Sequence, residues 1–348
     1  MSRVPLVDIS PFLHGTPQAR DAVARQVDDA CRDSGFLMVA GHGVDAALMQ
    51  RYERMLRAFF ALPVEEKQRI GVTRDSNRGF RGRDATALAH SRGDYTPPDL
   101  MERFTTGRSQ IPDDDYHRQR AHNHFQPNRW PEDPAFAATA IAYYAEMERL
   151  AADLMRIFAR ALSVAEDYFV LYCDKHISHL VANYYPAPKE EAAAGQFRAG
   201  AHTDFGALTL LNPAHSPRGL QVQTADDGWE DVVHQPGSFI VNIGDLMARW
   251  TNDRWVSTMH RVQPQAPAPG MGATDRMSIA FFLQPNDDAP ISCIPTCADA
   301  GNPPRYETVT SGEHYQMKSN RSWIGKKDLP APPSSTSSTA TITGASHA

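Results

Sequence analysis

The sequence is short of cysteine, has no strong excess of either charge and has no long apolar run, and each shortage excludes something. Four cysteines in 348 residues, Cys31, Cys173, Cys293 and Cys297, are too few and too scattered for a disulfide scaffold. Cys293 and Cys297 stand close together, but no second Cys or His pair lies near them, and two ligands do not close a zinc site. Free thiols in a reducing compartment are the simpler reading. A formal net charge of −6 and a pI near 6.1 give no electrostatic case for nucleic acid or an anionic membrane. No apolar run approaches the roughly 20 residues that cross a bilayer. The start, "MSRVPLVDIS", lacks the basic region and apolar stretch of a signal peptide. A soluble cytoplasmic protein is expected, with no nucleic-acid or membrane partner; the sequence does not speak to its oligomeric state.

What the chain has is a 41% hydrophobic complement, enough for a sizeable core. "VPLVDISPFL" (4–13) reads as a short strand running into a Pro-initiated turn. Val23, Val27 and Ala30 recur at helical spacing, and Ser34-Gly35 ends that helix. "GFLMVAGHGV" (35–44) is a strand bounded by glycines, with His42 in the turn after it. Leu48, Tyr52, Met55 and Phe59 mark a second amphipathic helix. Residues 71–134 show weak periodicity and much Gly, Pro, Arg and Asp, as a covering loop does. A long helix follows from Pro134 to about Ser163, with Ile141, Tyr144, Met147, Ala151, Leu154, Phe158 and Ala161 as its apolar stripe. After residue 176 come short runs such as "HLVANYY", "ALTLL", "GLQVQ", "SFIVNIGD" and "MSIAFFLQP", broken by turn residues. They suggest a β-sandwich or barrel. The tail 330–348 is low-complexity and expected to be disordered. The layout is one domain over 1–329. A helical half ends near residue 175 and carries a lid at 71–134; a β core spans 176–295.

The chemistry concentrates in that core. In "AHTDFGALTL", His202 and Asp204 are two apart, so on a strand they share a face. Alone the pair is weak evidence, because His-x-Asp is common by chance. Three further features add to it. His260 enters a later strand in "WTNDRWVSTMHRV". Arg276 and Ser278 share a face in "RMSIAFF". Asn183 and Tyr185 share one in "NYYP". Two histidines and a carboxylate make the facial triad of non-haem Fe(II), with coordination positions left open. Fe(II) with one aspartate keeps a charge of +1, which suits a bidentate 2-keto acid. The far carboxylate of such an acid needs a planar cation beside a hydroxyl, and Arg276 with Ser278 meets that need.

In this order and spacing the segments resemble the isopenicillin N synthase-like, 2-oxoglutarate-dependent Fe(II) oxygenases. The likeness runs from "VPLVDIS" and "GFLMVAGHGV" through "FFALPVEEK", "RGFRG", "NYYP" and "AHTDFGALTLL" to "RMSIAFF". It implies an α+β fold with a mainly β core: a double-stranded β-helix, or cupin-like jelly roll, with N-terminal and flanking helices. It also implies His202, Asp204 and His260 as iron ligands and Arg276 with Ser278 on the distal carboxylate of 2-oxoglutarate. Asn183 and Tyr185 would assist that co-substrate. The implied activity is a dioxygenase that uses O2 and 2-oxoglutarate. It would oxidise a small-molecule metabolite by hydroxylation, desaturation or cyclisation, in secondary metabolism, with release of succinate and CO2. Isopenicillin N synthase keeps an Arg-x-Ser motif for its peptide and consumes no 2-oxoglutarate. An iron oxidase without a keto acid therefore stays open, as do an ethylene- and succinate-forming enzyme and a non-catalytic metabolite-binding barrel. A zinc hydrolase would leave Arg276 and Ser278 unexplained.

Arg78, Phe80, Arg103 and Phe104, in the covering stretch, are candidates for the substrate wall. Phe282 joins them by alternation from Ser278. Other polar residues carry blander expectations. His122 and His124 read as solvated loop histidines, His176 and His179 as hydrogen-bonding residues, and Asp113 to Asp115 as a solvated run. Gly244-Asp245 reads as a turn, Trp250 and Trp255 as packing residues, and Asn252 as orienting the loop that delivers His260.

Overall fold

Short apolar runs separated by turn residues pair here into two facing sheets. The structure is a computed structural model; it describes residues 4–83, 85–94, 96–187, 195–214, 218–264 and 274–322, so the 330–348 tail lies outside the described residues. The strands are β1 (Leu6–Asp8), β2 (Phe36–Ala40), β3 (Gly79–Arg81), β4 (Glu102–Gly107), β5 (His179–Tyr185) and β6 (Ala199–His202). They continue with β7 (Leu208–Asn212), β8 (Leu220–Gln223), β9 (Trp229–Asp231), β10 (Phe239–Ile243), β11 (His260–Val262) and β12 (Arg276–Leu283). An eight-stranded sheet runs in the order β1-β2-β10-β7-β12-β5-β4-β3, and a four-stranded sheet in the order β6-β11-β8-β9. From β5 to β12 consecutive strands alternate between the two sheets, except β8 and β9, which form a hairpin within the small sheet, as in the expected double-stranded β-helix.

The helices back the large sheet. Thr16 caps the Pro17–Asp33 helix by accepting from the Ala19 amide at 3.3 Å, and Gly35, at φ +67°, reverses the chain behind it. Asp133 caps the Pro134–Ala161 helix, with proline at its start. That helix packs on β7, β12 and the two N-terminal helices. Its buried line runs Ala140, Tyr143, Met147, Leu150, Leu154 and Phe158. Each large apolar side chain so buried contributes about 1.5–3 kcal/mol. Ile141, expected on this stripe, is 38% exposed, because it sits one residue beyond the central line. Trp250 and Trp255 are buried on the helical side, edge-on to Phe169 and Phe158 at 5.1 and 5.0 Å.

Four expectations need correction. The 71–134 stretch is not simply a lid, because β3 and β4 extend the large sheet beyond β5. Its period is hard to read because β4 alternates Arg103 and Thr105 on the cavity face with Glu102, Phe104 and Thr106 on the other, so that Phe104 alone is apolar. Phe80 and Phe104 point to the apolar face, not to substrate. Phe104 packs against Phe59 at 5.1 Å and Phe136 at 5.4 Å. His124 is no solvated loop residue: it is 2% exposed, with Nε2 2.9 Å from Asp287. His122 is exposed as expected. Asn252 does not orient the His260 loop. At φ +55° it donates to the carbonyls of Cys297 and Pro303 and accepts from the Arg305 amide, which anchors the chain leading to the C-terminus.

The Ser311–Ser322 helix is a further element that the sequence reading does not place. Its signal was in the sequence as Thr310-x-x-Glu313. Thr310 Oγ1 accepts from the Glu313 amide at 3.2 Å and Glu313 Oε2 from the Thr310 amide at 3.0 Å, a reciprocal capping box. Among the described residues, no helix is long and apolar enough to cross a membrane.

Placing Phe104 in the core has a measurable consequence. Phe104→Ala should lower the unfolding free energy by about 3–5 kcal/mol, and Phe104→Leu by much less, in urea titrations. A Phe104→Ala protein of wild-type stability would return this ring to the cavity.

Candidate active site

Between the two sheets lies a cavity of about 160 Å³. The small sheet supplies the histidines. His260 in β11 pairs directly with His202 in β6, and the two rings lie 4.3 Å apart. Asp204 follows β6 by two residues and turns toward both. Its Oδ1 is 3.9 Å from His202 Nε2 and 3.7 Å from His260 Nε2. Those separations are too long for hydrogen bonds. The three groups are buried and each offers one ligand atom, all within 4.8 Å of one another.

The surroundings fix how each group presents itself. His202 Nδ1 donates to the Gly200 carbonyl at 2.7 Å, and His260 Nδ1 to that of Thr258 at 3.1 Å. With the proton on Nδ1, both Nε2 lone pairs face the centre. Asp204 Oδ2 accepts from Thr209 at 2.5 Å and Asn242 at 2.7 Å, which leaves Oδ1 for the centre. Asp245 ties the two ligand-bearing segments together. It accepts from Thr203 at 3.1 Å, Ser257 at 2.8 Å and Lys318 of the Ser311–Ser322 helix at 2.8 Å. Gly244-Asp245 is thus a turn, as expected, but one that starts a short helix and braces the site.

Burial first, and then the adjacent His260, pushes the His202 pKa down to about 4. Burial opposes the charge on Asp204, yet the two imidazoles and the Asn242 and Thr209 bonds hold its carboxyl below the usual range. Neutral imidazole beside ionised carboxylate is the state that binds a divalent metal. The donor set, its tautomers and its charge therefore fit Fe(II), which leaves open positions with two histidines and one carboxylate.

One face of the large sheet forms the opposite wall. Arg276 pairs with Tyr185, and Ser278 with Asn183. All four line the cavity, as does Phe282. Arg276 is 3% exposed and donates to Ser278 Oγ at 3.3 Å and to the Arg218 carbonyl at 3.2 Å. Its guanidinium lies 5.0 Å from the centre of the Tyr185 ring. Of the covering-stretch candidates, Arg103 lines the cavity. Arg78 does not: it is buried against Gly107 and donates to the His124 carbonyl at 2.6 Å. A Cβ at Gly107 would fall 2.2 Å from Arg78 Nη2, so a larger residue there would have to push the Arg78 guanidinium aside.

Residues 176–285 match the 2OG-Fe(II) oxygenase superfamily, and residues 4–133 match the family described as the non-haem dioxygenase in morphine synthesis N-terminal. The validamycin A dioxygenase of Streptomyces hygroscopicus subsp. limoneus is 34% identical, over 90% of this chain and 85% of its own.

The chain belongs to the 2OG-Fe(II) oxygenase superfamily.

Another relative of this oxygenase, the 2-oxoglutarate-Fe(II) type oxidoreductase hxnY of Emericella nidulans, is 33% identical over 93% of both chains. Among solved structures, a full-length Neurospora crassa protein crystallised in complex with alpha-KG superimposes with a TM-score of 0.79. It shares 29% identity over 91% of this chain and 95% of that one. The protein is a 2-oxoglutarate- and Fe(II)-dependent dioxygenase, and the expected double-stranded β-helix is its fold.

Sequence reasoning missed several residues of the oxygenase site. His179, expected only to make a hydrogen bond, lines the cavity and stacks on Tyr315 at 5.5 Å and 19°. Tyr315, Ser319 and Ser322 reach the cavity from one side of the C-terminal helix, at the i, i+4, i+7 spacing that marks a helix face. Thr209 and Asn242 sit in apolar runs that read as plain core strands. His176 keeps its expected role, with Nε2 2.8 Å from Glu148.

His202 contributes to the acid titration of the metal-free oxygenase. An unfolded histidine titrates near 6.5. From there down to about 4 the unfolded chain takes up a proton that folded His202 refuses, so stability falls as pH falls through that window. Urea titrations at pH about 7, 5.5 and 4.5 should give a descending series, and His202→Gln should make it shallower, with His179 and His314, also lowered by burial, supplying part of the remainder. An unchanged slope in the variant would remove His202 as a cause.

Proposed function

We propose that His202, Asp204 and His260 hold the Fe(II) of this oxygenase. Arg276 and Ser278 hold the far carboxylate of 2-oxoglutarate, with Asn183 and Tyr185 completing that wall. One observation carries the reading: two Nε2 lone pairs and one carboxylate oxygen converge, buried, in a cavity that Arg276 also lines. Among the described residues no carboxylate pairs with Arg276, so an incoming diacid answers a buried charge that the protein leaves uncompensated.

When bound, the iron activates O2 together with the keto acid against a C–H bond of the substrate. The rest falls to the chain. Gly200 and Thr258 hold the imidazole protons away from the centre. Thr209 and Asn242 occupy one Asp204 oxygen, so the other faces the metal alone. Arg276 orients the co-substrate through a planar fork that a lysine would not reproduce. Phe36, Leu220 and Val262 line the cavity and exclude water from the reacting groups.

The substrate in this proposal is a small-molecule metabolite of secondary metabolism. The size of the cavity supports it, as do relatives named for validamycin A and homoarginine. Residues 1–329 act as one oxygenase unit, which β1 and β2 support by joining the same sheet as β10. Four free cysteines support a reducing, cytoplasmic setting.

His202→Ala and Asp204→Ala should each abolish 2-oxoglutarate turnover and the weak visible band formed anaerobically with Fe(II) and 2-oxoglutarate, with far-UV circular dichroism unchanged. Full activity in either would reject the ligand assignment. Arg276→Leu should weaken 2-oxoglutarate roughly ten- to a hundredfold in an anaerobic titration of that band. Iron affinity should change little. Succinate formed without ethylene would separate this activity from the ethylene-forming alternative.

A further inference from the structure

One cation in the cavity wall is left over once iron and keto acid have their ligands. Arg103, in β4, has Asn183 of β5 on one side and Arg81 of β3 on the other. All three side chains line the cavity. Arg103 Nε is buried without a hydrogen-bond partner, and among the described residues none forms an ion pair with it. Asp99 and Asp204 act on it only from a distance. Asp99 is engaged with the Leu88 and Gly200 amides, and Asp204 with the metal centre.

Burial presses the Arg103 pKa down, and burial followed by repulsion from Arg103 brings that of Arg81 to about 9. A guanidinium such as that of Arg103, set in a low-dielectric wall without a counter-charge among the described residues, is unfavourable until an anion joins it. The 2-oxoglutarate site is elsewhere in the sheet. Ser278 is two strands from Arg103, about 10 Å at the ordinary strand spacing, with Asn183 between them. Further along the same sheet face as Arg103, His179 of β5 stacks nearly parallel on Tyr315 of the Ser311–Ser322 helix, with Val181 and Phe282 alongside.

We propose that Arg103, backed by Arg81, binds a carboxylate of the organic substrate, and that the Tyr315–His179 pair forms the flat wall for its body. The oxygenase would then act on small organic acids with a compact, planar or apolar skeleton. A guanidinium fork matches a carboxylate in plane and spacing, which gives orientation as well as attraction. The proposal rests on the cavity being the oxygenase site, and the test separates the two.

The probes are matched acids and primary amides: 3-phenylpropanoate, cyclohexanecarboxylate, benzoate and hexanoate, each with its amide. Binding to the Fe(II)- and 2-oxoglutarate-loaded protein is measured anaerobically by calorimetry, and the visible band is followed in the same samples. Wild type should bind at least one acid about tenfold or more tighter than its amide. Arg103→Met should lose that preference, and Arg103→Lys should keep part of it. 2-Oxoglutarate affinity should be retained in both variants.

Acids that bind no better than amides across the whole panel overturn the proposal, and that comparison needs no variant to fold. A preference that survives in Arg103→Met also overturns it. So does a loss of 2-oxoglutarate affinity in that variant with the acid preference intact, which would assign Arg103 to the co-substrate. A missing visible band in wild type counts against the metal centre instead, whatever the acids do.

Discussion

The Asp204 carboxylate joins the two sheets. One oxygen is held by Thr209 of β7 and Asn242 of β10, neighbours in the large sheet. The other faces the imidazoles of His202 and His260, which belong to the small sheet. A buried carboxylate is costly unless it is hydrogen-bonded and faces positive charge. Here the bonds come from one layer, and the charge from the metal proposed for the other.

The same division organises the rest of the cavity. The large sheet presents one face to it at a period of two, so a single alternation carries Arg276 and Ser278 on β12, Asn183 and Tyr185 on β5, and Arg103 and Thr105 on β4. Its other face packs on the long helix, where Phe104, Leu180 and Phe281 lie in the main apolar core. Cations thus stand on a rigid platform with an apolar layer behind them. Burial makes each charge expensive alone and effective when an anion arrives. The C-terminal helix closes the arrangement through Lys318 on Asp245, the same carboxylate that braces Thr203 and Ser257.

The β-helix strands and the metal motif were legible because both rest on local rules. Alternation places His202 with Asp204 and Arg276 with Ser278 on common faces whatever the fold. Glycine and proline mark where the strands break. The long helix was visible from its stripe and its Asp133-Pro134 start. The covering stretch was not legible, because β3 and β4 are short, each with an arginine on the cavity face (Arg81, Arg103) and only one aromatic ring on the other (Phe80, Phe104). That pattern imitates a polar loop until the partner strand is known. Phe80 and Phe104 were misplaced for that reason. His124 was misjudged because Asp287, which pairs with it, is far away in sequence.

By itself the sequence determined which residue types alternate, where helices are capped, and that two histidines and a carboxylate were available near an Arg-x-Ser pair. Those are properties of neighbours along the chain, and backbone geometry enforces them. Only the tertiary structure decided that His202 and His260 pair across strands and that Asp204 spends one oxygen on the opposite sheet. It alone placed Arg103 beside Arg81 in the cavity wall and brought Tyr315 onto His179. Each of these joins residues distant in sequence, and their meeting depends on sheet register and burial, which no local pattern encodes.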